Sequence, residues 1–223
     1  MRSKILFPLF LLSPLAASSS AMAQTTPWTV RAGPVGVFFD GHTDQAKVAG
    51  QPIPGADVGL QDNGSFAVEL GYEIAPRWTV RLGVGVPPTT KLSAGGTLRN
   101  FEPPLTGNLG KVTYAPAVLT LTYGLGDWGP VRPYIGGGVN YTWVISTSDG
   151  DVAGLKVHSA WGGVVEAGFD VPINKRWSVF ADVRKIFVKT SASGTIPALG
   201  GPPANVDLRL DPIIAHVGVS YHF

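Results

Sequence analysis

The chain has 223 residues, no cysteine, 14% charged residues, and 17 Lys+Arg against 15 Asp+Glu. That near-balance excludes polyanion binding driven by net charge. A disulfide-stapled scaffold is excluded as well, so hydrogen bonding and packing must hold the fold.

The chain opens MRSKILFPLFLLSPLAASSSAMAQ. Arg2 and Lys4 form a charged head, Ile5 to Leu15 an apolar stretch, and Ala21-Met22-Ala23 a small-residue cleavage site. Pro8 and Pro14 interrupt the apolar stretch, which is too short to span a bilayer. Residues 1–23 are therefore expected to be a removed signal peptide and 24–223 the mature domain. Its removal leaves 15 basic residues against 15 acidic ones.

Period-two alternation then predicts eight strands, at 28–39, 65–75, 78–90, 112–125, 132–146, 159–172, 177–190 and 206–223. In the second strand Phe66, Val68, Leu70, Tyr72 and Ile74 share one face, and Glu69, Gly71 and Glu73 the other. In the third, Trp78, Val80, Leu82 and Val84 oppose Arg81, Gly83 and Gly85. Ile135, Val139, Tyr141 and Trp143 likewise oppose Gly136, Gly138, Asn140 and Thr142. Trp161, Val165 and Phe169 oppose Glu166 and Asp170; Trp177, Val179 and Val183 oppose Asp182 and Arg184. The final stretch alternates through Ala215, Val217, Val219, Tyr221 and Phe223.

The connections at 76–77, 126–131 and 173–176 are tight; those at 40–64, 91–111, 147–158 and 191–205 are long and rich in Gly, Pro and Ser. Short turns on one side and long loops on the other are the rhythm of an outer-membrane β-barrel. A soluble sandwich would bury the apolar face; a membrane barrel turns it to lipid and the charges inward. Trp28, Trp78 and Trp177 at one set of strand ends, and Tyr141, Trp143 and Trp161 at the other, favour the membrane barrel, with two aromatic girdles. The expected fold is thus all-β, an eight-stranded antiparallel transmembrane barrel in the outer membrane. Its turns would be periplasmic and its long loops extracellular.

VRPYIGGGVNYTWV (131–144), SAWGGVVEAGFDVPINKRWSV (159–179) and LRLDPIIAHVGVSYHF (208–223) resemble the outer membrane protein W (OmpW) family. That family carries an R-P-Y-x-G-x-G-x-N-Y-T strand, a W-G…G-x-D…I-N-x-x-W hairpin and an L-D-P…G-x-x-Y-x-F terminus. The resemblance implies a monomeric barrel that passes small hydrophobic molecules across the outer membrane, with exit sideways into the bilayer. It also implies that Tyr221 and Phe223 are part of a signal read by the barrel-assembly machinery. The long loops match no family pattern, so substrate identity does not follow.

Inward-facing Arg31, Glu69, Glu73, Arg81, Glu166, Asp170, Asp182 and Arg184 are expected to form a polar plug of ion pairs in a lumen just wide enough for side chains. Pro87-Pro88, toward the outer end of the third strand, removes ladder donors and is the expected lateral seam; the bland reading is a strand end or bulge tolerated above the membrane. No catalytic arrangement is expected. His158 and Ser159 are adjacent and so on opposite faces, and His216 and Ser220 lie ~13 Å apart along a strand. Four scattered histidines and no cysteine point to no metal, and no cofactor or nucleic-acid partner is expected. The rival reading is a structural or adhesive barrel acting through its loops.

Overall fold

Alternating side chains give each strand one apolar and one polar face, and a closed sheet is the arrangement that lets the apolar face meet lipid without a free edge. The computed structural model describes residues 27–102 and 105–223; the expected signal peptide, 1–23, lies outside them. The strands are β1 Trp28–Phe38, β2 His42–Val48, β3 Gln51–Pro52, β4 Ala56–Leu60, β5 Asn63–Ala75, β6 Trp78–Gly85 and β7 Thr89–Gly96. They continue with β8 Asn108–Gly124, β9 Arg132–Asp149, β10 Ala153–Val157, β11 Ala160–Pro172, β12 Trp177–Thr195, β13 Pro203–Arg209 and β14 Ile213–His222.

Eight of these, β1, β5, β6, β8, β9, β11, β12 and β14, pair antiparallel in that order, and β14 returns to β1. The closing ladder runs from Thr29 opposite His222 to Phe38 opposite Ile213. It is tight at its middle: a Cβ on Gly33 would lie 1.9 Å from the Val217 carbonyl oxygen, so only glycine fits there. The sheet is a closed eight-stranded barrel, as expected.

The faces segregate as the alternation requires. Phe66, Val68, Leu70, Val84, Leu119, Val139, Val165, Phe169, Val183 and Val217 are exposed on the outside, where lipid covers them. Arg31, Glu69, Glu166, Asp182 and Arg184 point inward and are at most 5% exposed. A charge at the bilayer midplane on the outer face would cost ~2–4 kcal/mol, which is the reason for the sorting. Aromatic pairs ring the periplasmic end, with centroid distances of 4.6 Å for Trp28–Tyr72, 4.8 Å for Trp78–Tyr123 and 4.9 Å for Trp177–Tyr221. At the outer end Tyr141 packs on Trp143 and Trp161, at 4.6 Å each.

The structure departs from the expected strand ends on the outer side. The stretches 40–64, 91–111, 147–158 and 191–205 contain much strand: β2, β3, β4 and β10 lie within them, β5 and β13 begin there, and β7, β8, β9 and β12 run into them. They form an upper wall above the membrane, in which β13 pairs with β12 and β2, and β7 with β4 and β8. Their own alternation is broken by Gly and Pro, and it is ladder bonding to the long barrel strands that stabilises them. The expected single strand 206–223 divides at Asp211-Pro212, where Asp211 takes φ of 32°. The Asp211 carboxylate accepts the Val188 N–H at 3.0 Å.

The expected strand 78–90 also divides, at Pro87-Pro88. Leu82 and Val84 in β6, and Val86 just past its end, are exposed on the outside, whereas Thr90, Leu92 and Ala94 point inward in β7. The two prolines therefore insert a bulge that inverts the alternation, bringing Leu92 and Ala94 into the lumen.

Candidate functional site

From the periplasmic side upward, the lumen passes from water-accessible to charged to apolar. At the bottom, Thr29, Glu73, Arg77, Arg132 and His222 surround a vestibule of about 370 Å³. Above it the charged side chains close the barrel. Arg31, on β1, holds Asp170 of β11 through both carboxylate oxygens, at 2.6 Å each, and reaches Glu69 at 3.4 Å. Arg184, on β12, pairs with Glu69, with Glu166 at 3.3 Å and with Asp182 at 3.2 Å. Arg81 lies 3.5 Å from Glu166 and 3.6 Å from Glu69. Each guanidinium thus touches at least two carboxylates, and each carboxylate touches at least two guanidiniums. Such sharing offsets the desolvation of buried charge.

Aromatic side chains complete the layer. The Tyr134 hydroxyl accepts a 2.8 Å hydrogen bond from Arg31 and donates to Asp182 at 3.3 Å. The Arg81 guanidinium stacks over the Tyr134 ring at 4.1 Å, and Arg31 lies over Phe180 at 4.6 Å. Gly168 makes room for this ring: a Cβ there would sit 2.6 Å from the Tyr134 oxygen.

Directly above, Val118, Val164, Ile186 and Val188 form a buried apolar floor. Over it lies a cavity of about 80 Å³ lined by Val37, Leu92, Tyr114, Pro116, Val144 and Leu210 among others. That is room for several water-sized groups in surroundings that hold water poorly, so it suits a small apolar molecule. Asn140, fully buried, contributes amide to this lining, but its Nδ2 already donates to the Ala117 carbonyl at 3.2 Å. A second apolar space of about 70 Å³, lined by Val58, Leu98, Leu109, Leu155 and Ile196, continues the path outward; Leu92 and Leu208 border both.

Beside the cavity the ladder is interrupted where three prolines meet. The β6–β8 ladder stops at Val84 opposite Ala117, and pairing resumes only at Thr89 opposite Thr113. Between them stand Pro87 and Pro88 on one strand and Pro116 on the other, none with an N–H to give. The Tyr114 N–H to Pro88 carbonyl bond, at 3.1 Å, crosses this gap, and Tyr114 and Pro116 both line the cavity.

Of the eight residues expected in the charged layer, seven meet. Glu73 does not: it shares their face but lies exposed at the periplasmic mouth, and among the described residues it makes no ion pair. Tyr134, Phe180 and His216, which the sequence reading left out, belong to the layer. His216 is 1% exposed and packs edge-on against Phe180 at 4.7 Å. Tyr134 has the same parity as Gly136, Gly138 and Asn140, so extending that face by one step would have found it. Tyr221 lies in the closing strand, opposite Trp177 and Val30. The Phe223 N–H donates to the Trp28 carbonyl at 3.2 Å.

The sequence profile of the OmpW family matches residues 25–223. A dibenzothiophene metabolism operon protein, PahQ, of Pseudomonas aeruginosa is 38% identical over 219 residues, covering 98% of this chain and 97% of that one. The outer membrane protein AlkL of Ectopseudomonas oleovorans is 28% identical, covering 84% of this chain and 78% of that one. Among solved structures, the outer membrane protein OprG of Pseudomonas aeruginosa superposes with a TM-score of 0.79 at 26% identity, covering 88% of this chain and 95% of that one.

Proposed function

The chain belongs to the OmpW family of outer-membrane barrels, and on that premise we propose that it passes small hydrophobic molecules inward across the outer membrane. The observation that carries this reading is an apolar cavity seated directly on an ion-paired charge layer. A solute comes in from outside between Leu98, Leu109 and Leu155, and settles over Val118, Val164 and Ile186. Below it, seven interlocked charged groups oppose further descent, because a solute that cannot hydrogen-bond gives them nothing in exchange for their partners. The route out is then sideways, through the wall at Pro87, Pro88 and Pro116, where the ladder is thinnest. Lipid is the better solvent for such a solute than the polar vestibule below.

The name of the PahQ relative, tied to dibenzothiophene metabolism, supports fused-ring aromatic compounds as the class to examine first. The test is uptake of such a compound, and of a hydrophilic sugar of similar size, by outer-membrane vesicles with and without the protein. Faster uptake of the aromatic alone is expected. No acceleration of either would leave the barrel as a structural or adhesive element acting through its upper wall.

A further inference from the structure

Two pairs of like-charged side chains stand opposite one another on the outer face of the upper wall. Lys189 of β12 faces Arg209 of β13, and Lys91 of β7 faces Lys111 of β8. Like charges directly opposite on a sheet destabilise it unless an anion lies between them. The first pair has its anion: Asp44 of β2 is 2.8 Å from Arg209 and 3.9 Å from Lys189. The Arg209 hydrogen bond holds this carboxylate below its ordinary pKa.

The second pair has the same arrangement without the anion. Lys91 and Lys111 are both exposed, and among the described residues no carboxylate stands at ion-pair distance from either. Lys47 and Lys156 lack such partners too, but each faces neutral neighbours, Asn205 and Pro52 for the one and Ser193 for the other. Only uncharged residues flank the Lys91–Lys111 pair: Gln61, whose N–H donates to the Lys91 carbonyl at 3.1 Å, lies beside Lys91, and the others are hydroxyls. Thr89 and Thr113 sit one step below it, their oxygens 2.7 Å apart, and Ser148 sits opposite Lys111 on β9.

Height along the wall identifies the source of the missing anion. The apolar belt ends beneath the pair at Val86 and Ile145. Ile145 is three residues below Ser148, about 10 Å along a tilted strand and less in height. A headgroup layer of roughly 5–8 Å covers that zone. We propose that Lys91 and Lys111 form a binding site for a phosphate carried by a lipid headgroup of the outer leaflet, with the hydroxyls of Thr89, Thr113 and Ser148 at its edges. The two ammonium groups take the phosphate as Lys189 and Arg209 take Asp44, and their aliphatic stems lie along the sheet toward the lipid.

The experiment reconstitutes the full-length protein into neutral phosphatidylcholine bilayers that contain either lipid A, a phosphorylated glycolipid, or its dephosphorylated form. Phosphorylated lipid retained per barrel after detergent extraction is measured together with the midpoint of thermal unfolding. The wild type should retain the phosphorylated form and gain thermal stability from it. Lys91→Gln/Lys111→Gln should retain at least about tenfold less, while in a neutral bilayer it unfolds no earlier than wild type. Lys91→Glu supplies the anion internally: it should raise the midpoint in the neutral bilayer and abolish the response to lipid A. Equal retention by the double variant, or an equal response to the dephosphorylated lipid, would overturn the site. An equal response to inorganic phosphate in the neutral bilayer would overturn its assignment to lipid.

Discussion

Arg31 grips Asp170 with one nitrogen equidistant, at 2.6 Å, from both carboxylate oxygens. The two residues are 139 positions apart on β1 and β11, strands that share no ladder, so the bond is a strut across the lumen. Arg31→Met keeps the volume but strands Glu69 and Asp170 with less counter-charge. A loss of ~3–5 kcal/mol in unfolding free energy is expected for breaking a buried pair on one side. Urea unfolding in lipid vesicles measures it, and a loss below ~1 kcal/mol would mean the strut is not stabilising.

The same layer should oppose ions. Wild-type protein in planar bilayers is expected to give only small or fleeting currents, and Arg31→Ala/Arg184→Ala to give larger ones. Large, steady wild-type currents would rule out a closed charge layer.

Pro87→Thr/Pro88→Val restores two N–H donors where the β6–β8 ladder is interrupted. Uptake of an apolar aromatic should fall severalfold, with resistance to thermal unfolding unchanged or raised. Undiminished uptake by a correctly folded double variant would place the exit elsewhere in the wall.

Assembly is expected to depend on the last strand, because β14 carries the closing ladder to β1 and Phe223 extends it to Trp28. Phe223→Ala, or a polar tail fused after Phe223, should lower the yield of heat-modifiable barrel in the outer membrane. A normal yield from the tailed form would separate closure from recognition by the assembly machinery.

At the upper rim the Asp149 carboxylate accepts the N–H groups of Gly154 at 2.8 Å and Leu155 at 3.0 Å, which hold its pKa below the ordinary value. A depressed folded pKa means the contribution is full above the unfolded value and is lost as pH falls through the folded one. The Gly154 and Leu155 amide resonances should therefore shift with a midpoint below about 3.9, the ordinary aspartate value. Movement centred at or above that pH would contradict the hydrogen bonds; Asp149→Asn should abolish the transition.

Local alternation determined the class of fold and the two faces of the strands, because side-chain parity along a strand is set by the backbone pleat alone. Phe66, Val68 and Leu70 had to share a face opposite Glu69, and a barrel was the way to place them in lipid. Parity does not set height. Glu69 and Glu73 share a face, yet one is sealed in the charge layer and the other lies at the mouth. Height follows from the stagger with which all eight strands close, a property of the whole barrel rather than of any segment. That stagger brings Tyr134, Arg31 and Asp182 to one level. The inversion at Pro87-Pro88 was hidden for a related reason. Two prolines announce a break in the ladder, but only the neighbours β4 and β8 decide that the chain resumes as a strand, with Leu92 and Ala94 turned inward.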